Sequence, residues 1–237
     1  MTHTELHAKI FRKFVKPLAV ATVLGVAVIG AGMTLAIGTP YTSQAIAAEA
    51  KQVPSEGTGQ DYYRRGFYPE ALAEWKTAVE KHGNAGAAFR LGEEYFDAKV
   101  VERDVPTAIK YYEIGAKGGD ARAQMDLGSM YDKGWGVSRD AAKAAKWFEA
   151  AAVQGMAEAQ YNVATMYQAG EGVAQDNVKA YMYYLLAVKN GFPQFAAKEL
   201  ENLSGEMKTE EIKQATLMAR DFKPVVTTVQ MKLATPN

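Results

Sequence analysis

Residues 121–156 read ARAQMDLGSMYDKGWGVSRDAAKAAKWFEAAAVQGM, and the fold follows from the way this stretch is spaced. Ala123, Leu127, Gly128 and Tyr131 recur at three- and four-residue intervals, which gathers them on one face of a helix. After Gly134-Trp135-Gly136-Val137 the same spacing returns with Ala144, Trp147, Phe148 and Ala151. The two glycines between the segments tolerate the positive φ of a sharp reversal. The stretch is therefore an antiparallel pair of helices.

The pattern recurs on both sides at a spacing of 36 residues. Ala87 to Tyr95 reads AAFRLGEEY, Ala123 to Tyr131 reads AQMDLGSMY, and Ala159 to Tyr167 reads AQYNVATMY. The register continues through Val101, Val137 and Val173, and through Ala108, Ala144 and Ala180. It holds for the aromatics Tyr111, Trp147 and Tyr183, and for Gly83, Gly119, Gly155 and Gly191, which close successive units. Asp104, Asp140 and Asp176 stand where each second helix begins, so their carboxylates are expected to accept bonds from free amides there. Asp120 and Met156 follow the closing glycines and launch the next first helix. Gly92, Gly128 and Ala164 are expected where helices approach closely, with aromatics filling the wider spaces. Trp147 is expected to be the buried aromatic between repeats and Trp135 an exposed turn residue.

These positions resemble the Sel1-like repeat family, relatives of the tetratricopeptide repeats. The resemblance rests on Ala123-Gln124, Leu127-Gly128, Tyr131, Gly134, Gly136-Val137, Asp140, Lys143-Ala144, Trp147-Phe148, Ala151-Ala152 and Gly155. The next copy departs at Val163-Ala164, where leucine-glycine is usual. The preceding copy has Ala98 and Val100 in place of the loop glycines, so a turn of different shape is expected there. The resemblance implies an all-α fold, a right-handed superhelical solenoid of antiparallel helix pairs, and a role as an adaptor in assemblies.

Solenoid units cannot cover their own apolar faces, so atypical helices are needed at both ends. The domain organisation expected is a capping unit over 59–83, repeats over 84–191, capping helices over 192–223 and a tail over 224–237. In the first cap Ala71, Trp75 and Ala78 share a face; in the second, Ile212, Ala215, Ala219 and Phe222 do. The tail begins with a β-prone run, VVTTVQMKL, that could serve as an attachment strand. Residues 48–58, with Pro54 among small and charged residues, are expected to form a linker.

The first 47 residues carry an export pattern: Lys9, Arg12, Lys13 and Lys16, then uncharged residues from Leu18 to Ile37, then Ala45-Ile46-Ala47. Small residues at the first and third positions before a cut suit a signal peptidase, which would cleave after Ala47. The apolar stretch is also about the 20 residues that cross a bilayer. Two outcomes stay open: a cleaved signal, placing the domain in the periplasm or outside the cell, or an uncleaved anchor in the inner membrane. In both the basic residues remain on the cytoplasmic side and the domain is exported. Membrane contact is expected only through this segment.

Of 237 residues, 48% are apolar, and 27 basic residues balance 27 acidic ones, which gives no electrostatic pull toward nucleic acid. Loss of the N-terminal segment would remove four lysines and arginines against only Glu5, leaving the remainder acidic. The absence of cysteine excludes disulfides, thiolate metal sites and cysteine nucleophiles. No zinc motif or phosphate loop is present; Gly134-Trp135-Gly136 lacks a preceding strand and a Walker lysine, so it reads as a turn. His82, before Gly83, suits a helix end. No cofactor or metal is expected. Glu93, Glu94, Asp97 and Glu102 suggest a glycoside hydrolase, whose paired carboxyls stand roughly 5–9 Å apart across a cleft. Neighbours on one helix point about 100° apart, however, and an exposed Glu93–Asp97 pair is ordinary solvated surface. A third reading is a purely structural or self-assembling envelope protein.

The leading expectation is a scaffold that holds a protein or peptide on its concave face. Once the repeated apolar positions are set aside, each first helix keeps a variable stripe: Arg90, Glu93 and Asp97; Arg122, Asp126, Ser129 and Lys133; Glu158, Asn162 and Thr165, with Gln168 alongside. Stacking should bring the three stripes together. Arg90, Arg122 and Asn162 are expected to serve a partner at little cost to folding, whereas Lys146 lies on the outer side.

Overall fold

The chain divides into two units, Met1–Ala48 and Glu49–Asn237, and the computed structural model describes residues 54–225, all within the second. The export segment, most of the expected linker and residues 226–237 lie outside the described residues. Among the described residues there are ten α-helices and no strand. They are α1 (Glu56–Arg64), α2 (Tyr68–His82), α3 (Ala85–Asp97), α4 (Val105–Lys117) and α5 (Ala121–Lys133). Then follow α6 (Ala141–Ala152), α7 (Ala157–Ala169), α8 (Asn177–Lys189), α9 (Pro193–Glu206) and α10 (Thr209–Asp221). Helices α3/α4, α5/α6 and α7/α8 form the three hairpins, and α4 and α6 each pack on the first helix of the next repeat.

The helix starts follow the aspartates. Asp104, Asp140 and Asp176 accept from the amides of Thr107, Lys143 and Lys179 at 3.1, 3.0 and 2.9 Å. Each loop closes with the amide of that aspartate donating 2.9 Å to the carbonyl of Tyr95, Tyr131 or Tyr167. The expectation for the first loop is corrected in part. Ala98 adopts φ 59° and ψ 38°, the left-handed conformation that Gly134 and Gly170 take at φ 72° and 69°, so its helix ends in the same way. The difference lies two residues on, where Gly136 and Gly172 take φ 73° but Val100 does not have a positive φ. The loop closure therefore survives the loss of both glycines.

The close approaches fall where small residues stand. A Cβ on Gly92 would meet the Tyr112 ring at 2.7 Å, and one on Gly128 the Phe148 ring at 2.7 Å. Tyr95 stacks on Tyr111, and Tyr167 on Tyr183, inside their hairpins. Trp147 does not fill the expected place: it is half-buried at the edge of the core, while its neighbour Phe148 is 3% exposed and occupies the space beside Gly128. Helical geometry turns adjacent residues about 100° apart, so the two members of an aromatic pair take different places in the hairpin, and here the close approach at Gly128 falls to Phe148.

A polar ladder joins the repeats. The Gln124 amide donates 3.0 Å to the Ala116 carbonyl and its oxygen accepts from Gln154 at 2.7 Å. One repeat later Gln160 donates 3.0 Å to Ala152 and accepts from Asn190 at 2.9 Å. Both glutamines are buried, so these bonds satisfy carbonyls at helix ends that water cannot reach.

Helices flank the three repeats at both ends. Helix α1 begins at Glu56, inside the stretch expected to be linker, because Ser55 accepts from the Thr58 amide and starts a helix there. At the other end α9 and α10 pack mainly on α8 and seal it with Ala196, Leu203, Ala215 and Ala219. Beyond α10 the chain turns back, and the Val225 amide donates 2.8 Å to the Val153 carbonyl. Val225 is the first described piece of the β-prone run.

Candidate binding groove

A groove with a volume of about 730 Å³ runs across the first helices of the three repeats. Eight of the eleven residues of the stripe line it: Glu93 and Asp97 from α3; Asp126, Ser129 and Lys133 from α5; Glu158, Asn162 and Thr165 from α7. The three- and four-residue spacing turned each set to one face, and the 36-residue period set the faces side by side. Tyr112 and Phe148 reach through from the second helices to form part of the floor, and Tyr161 and Met166 add to the α7 side. Trp135 and Arg139 from the α5–α6 loop and Glu171 from the α7–α8 loop form a rim. Trp135 is 52% exposed, with its ring 6.3 Å from that of Phe96.

Three stripe residues have other roles. Arg90 and Arg122 converge on Glu56 of α1: Arg90 Nε donates at 3.0 Å, and the two terminal nitrogens of Arg122 donate at 2.8 and 3.1 Å. Arg122 also bonds Asp120, the cap of its own helix, at 2.6 Å. These arginines clamp α1 across two repeats, which corrects the expectation that they can be changed at little cost to folding. Burial disfavours the charged form of Glu56, but the guanidiniums of Arg122 and Arg90 outweigh it and hold its carboxyl below the ordinary range. Gln168 faces the hairpin partner and accepts from the Tyr184 hydroxyl at 2.7 Å. Glu56 was invisible as a site residue because it lies outside the repeat; its signal was the Ser55-initiated helix start, read as linker.

The charge of the groove is uneven. At its rim Lys133 pairs with Asp132 at 2.6 Å, and Arg139 pairs with Glu171. Farther along, Glu93 pairs with Arg90 and Asp97 with Lys99, each at 2.9 Å. Asp126 and Glu158 form no ion pair among the described residues. Burial, then the charge of Glu93, against a hydrogen bond with Tyr112 and with further repulsion from Glu158 and Asp97, pushes the Asp126 carboxyl up to about 7. The groove thus holds a desolvated acid flanked by other acids.

The carboxylates considered for glycoside hydrolysis do not face one another across this groove. Glu93 and Asp97 line it from a single helix, whereas Glu94 is 5% exposed, lies beside Tyr63 and is not part of the lining, nor is Glu102. His82 is exposed at the end of α2. Among the described residues no cluster of histidine and carboxylate side chains could hold a metal ion. No helix among them is long and apolar enough to cross a membrane.

Comparison with known proteins yields one family and several structures. The Sel1 repeat model matches residues 85–120, 121–156 and 157–192. A Sel1 repeat protein from Oxalobacter formigenes is 36% identical, with a TM-score of 0.52 over 55% of this chain and 97% of that one. The chain is also similar to c5321, a protective antigen present in uropathogenic Escherichia coli strains displaying an SLR fold, at 22% identity and a TM-score of 0.47, over 81% of this chain and 51% of that one. Helicobacter pylori cysteine rich protein B, hcpB, matches at 18% identity and a TM-score of 0.42, over 54% of this chain and 96% of that one. No curated protein matches.

Proposed function

Because the chain belongs to the Sel1 repeat family, whose members are generally protein–protein interaction scaffolds, we propose that it is an exported scaffold that holds a protein segment in the groove of its first helices. The observation that carries this reading is the groove itself: its walls carry the positions that vary between repeats, while most recurring positions are spent on the core and the groove floor. Variation from repeat to repeat gives such a surface a direction, which identical repeats would lack. Ser129 and Thr165 bond their own helix, to the carbonyls of Met125 and Asn162, so the groove wall is set before a partner arrives.

Export rests on the basic, apolar and Ala-Ile-Ala order of residues 1–47. The test places a photo-crosslinking residue at Ser129, at Thr165 or at exposed Lys146 in the full chain, expressed in its own cells. The first two positions should capture one common protein, and Lys146 should not. Capture from Lys146 alone would put the binding surface on the opposite side. N-terminal sequencing of fractionated cells should find a start near Ala48 or an intact chain in the membrane; an intact chain in the soluble cytoplasmic fraction overturns the export reading.

A further inference from the structure

We infer that the segment held in the groove is basic, and that an arginine or lysine side chain of the partner enters between Asp126, Glu93 and Glu158 while the neighbouring part of the segment lies on Trp135. This rests on the scaffold reading above and adds the chemistry of the occupant. The groove walls carry Glu93, Asp97, Asp126, Asp132, Glu158 and Glu171 against only Lys133 and Arg139. Both cations are already engaged at the rim, by Asp132 and Glu171. Among the lining acids, what remains without a counter-charge is Asp126 with Glu158.

The surroundings of Asp126 point to a cation rather than to water. Glu93 and Asp97 face it from α3, Tyr112 from α4 and Glu158 from α7, and of these only Tyr112 supplies a donor. A carboxylate set among other carboxylates and withdrawn from solvent is disfavoured until a positive charge joins it. The space is far larger than a single ion needs and falls within the roughly 300–1,000 Å³ usual for sites that enclose an organic ligand. Trp135, 52% exposed, is among the lining residues, and flat guanidinium groups stack on aromatic rings. An acidic segment would meet like charges along the groove, so the same residues that favour a basic partner exclude an acidic one.

The test uses the full chain and three end-blocked decapeptides in which serine alternates with arginine, with glutamate or with glutamine. Binding is read by anisotropy of a fluorophore on the peptide, and its location by crosslinking from position 129. At pH 8 the arginine peptide should bind at least about tenfold more tightly than the other two, and its affinity should fall with added salt. Its advantage should shrink at pH 6, where Asp126 has taken up a proton. Asp126→Asn should weaken it about tenfold at pH 8 and remove most of the pH dependence. Glu158→Gln, at an exposed position with no part in the core, should weaken it in the same direction with little effect on folding. If the glutamate or glutamine peptide crosslinks at position 129 as tightly as the arginine peptide, the groove binds protein segments but the basic-partner inference is overturned. If none of the three crosslinks there, the inference and the scaffold reading fall together.

Discussion

Ala98 shows how a single residue can meet the demand of the repeat at a cost. It is the one non-glycine residue at positive φ among the described residues, held there because the Asp104–Tyr95 closure requires the reversal. An L side chain in that conformation is disfavoured by about 1 kcal/mol or more. Ala98→Gly should therefore stabilise the domain by about 1 kcal/mol, read from the urea midpoint, despite the greater freedom of glycine in the unfolded chain. Asp126 is the opposite case, a residue whose chemistry opposes folding. Its folded carboxyl titrates at about 7, above the ordinary value of 3.8, so the folded state binds the proton more tightly than the unfolded chain does. Stability contributed by this group is then present at low pH and declines as pH rises from about 4 through 7. Asp126→Asn should raise stability by about 2 kcal/mol at pH 8 and leave it nearly unchanged at pH 4. Melting curves at the two pH values decide; an equal effect at both would show that Asp126 is solvated like a surface acid. The capping roles of Asp104, Asp140 and Asp176 were legible in the sequence because a cap acts on amides three residues away. The depth of Asp126 was not, because Glu93, Tyr112 and Glu158 reach it from three other helices.

At the level of helices, the period told which residues face inward, and adjacent aromatics marked the limit of that reading. Trp147 and Phe148 both fit an apolar face, and the sequence reading placed Trp147 inside; the helix instead points Phe148 at Gly128, leaving Trp147 along the edge of the core with Tyr131 and Val137. Phe148→Ala should cost about 3–5 kcal/mol, because the glycine opposite cannot fill the void. Trp147→Ala should cost less, about 2 kcal/mol, and Trp135→Ala under about 1 kcal/mol, since half its surface is already in water. Chemical unfolding of the three variants tests the order; a loss at Trp147 larger than at Phe148 would restore Trp147 as the main buried aromatic between repeats. The Gln124 and Gln160 ladder recurs in the sequence as Ala-Gln, yet its function could not be read there. Its partners, the Ala116 and Ala152 carbonyls and the amides of Gln154 and Asn190, lie at the ends of the preceding or the following helix, and only stacking brings them together.

On the scale of the whole domain, repeats that touch only their neighbours give nearly additive stability, so the ends are the first parts to open. The amino-terminal end has a device against this that lies outside the period. The Glu56 carboxylate draws together Arg90 of the first repeat and Arg122 of the second, and a Cβ on Gly86 would collide with its side chain, so α1 is seated across both repeats. Trp75 of α2 reinforces the seat by donating 3.1 Å to the Glu56 carbonyl. Removing the carboxylate leaves two guanidiniums, each about one-third exposed, without that partner. Partial exposure keeps the cost below that of a fully buried pair, at about 2 kcal/mol. Glu56→Gln should therefore release α1, and loosen α2, while α5 to α8 keep their protection in hydrogen exchange. Acid should act in the same way on the wild type. The folded carboxyl lies below its ordinary value of 4.5, so its contribution is complete above that value and is lost as pH falls through the lower folded one. Protection of α1 should then fail in acid before protection of α7 does, and Glu56→Gln should abolish that difference in acid sensitivity. If α1 in the variant exchanges as slowly as in the wild type at neutral pH, the apolar contacts of Trp75 and Tyr63 hold the end in place and the ion pairs are incidental to it.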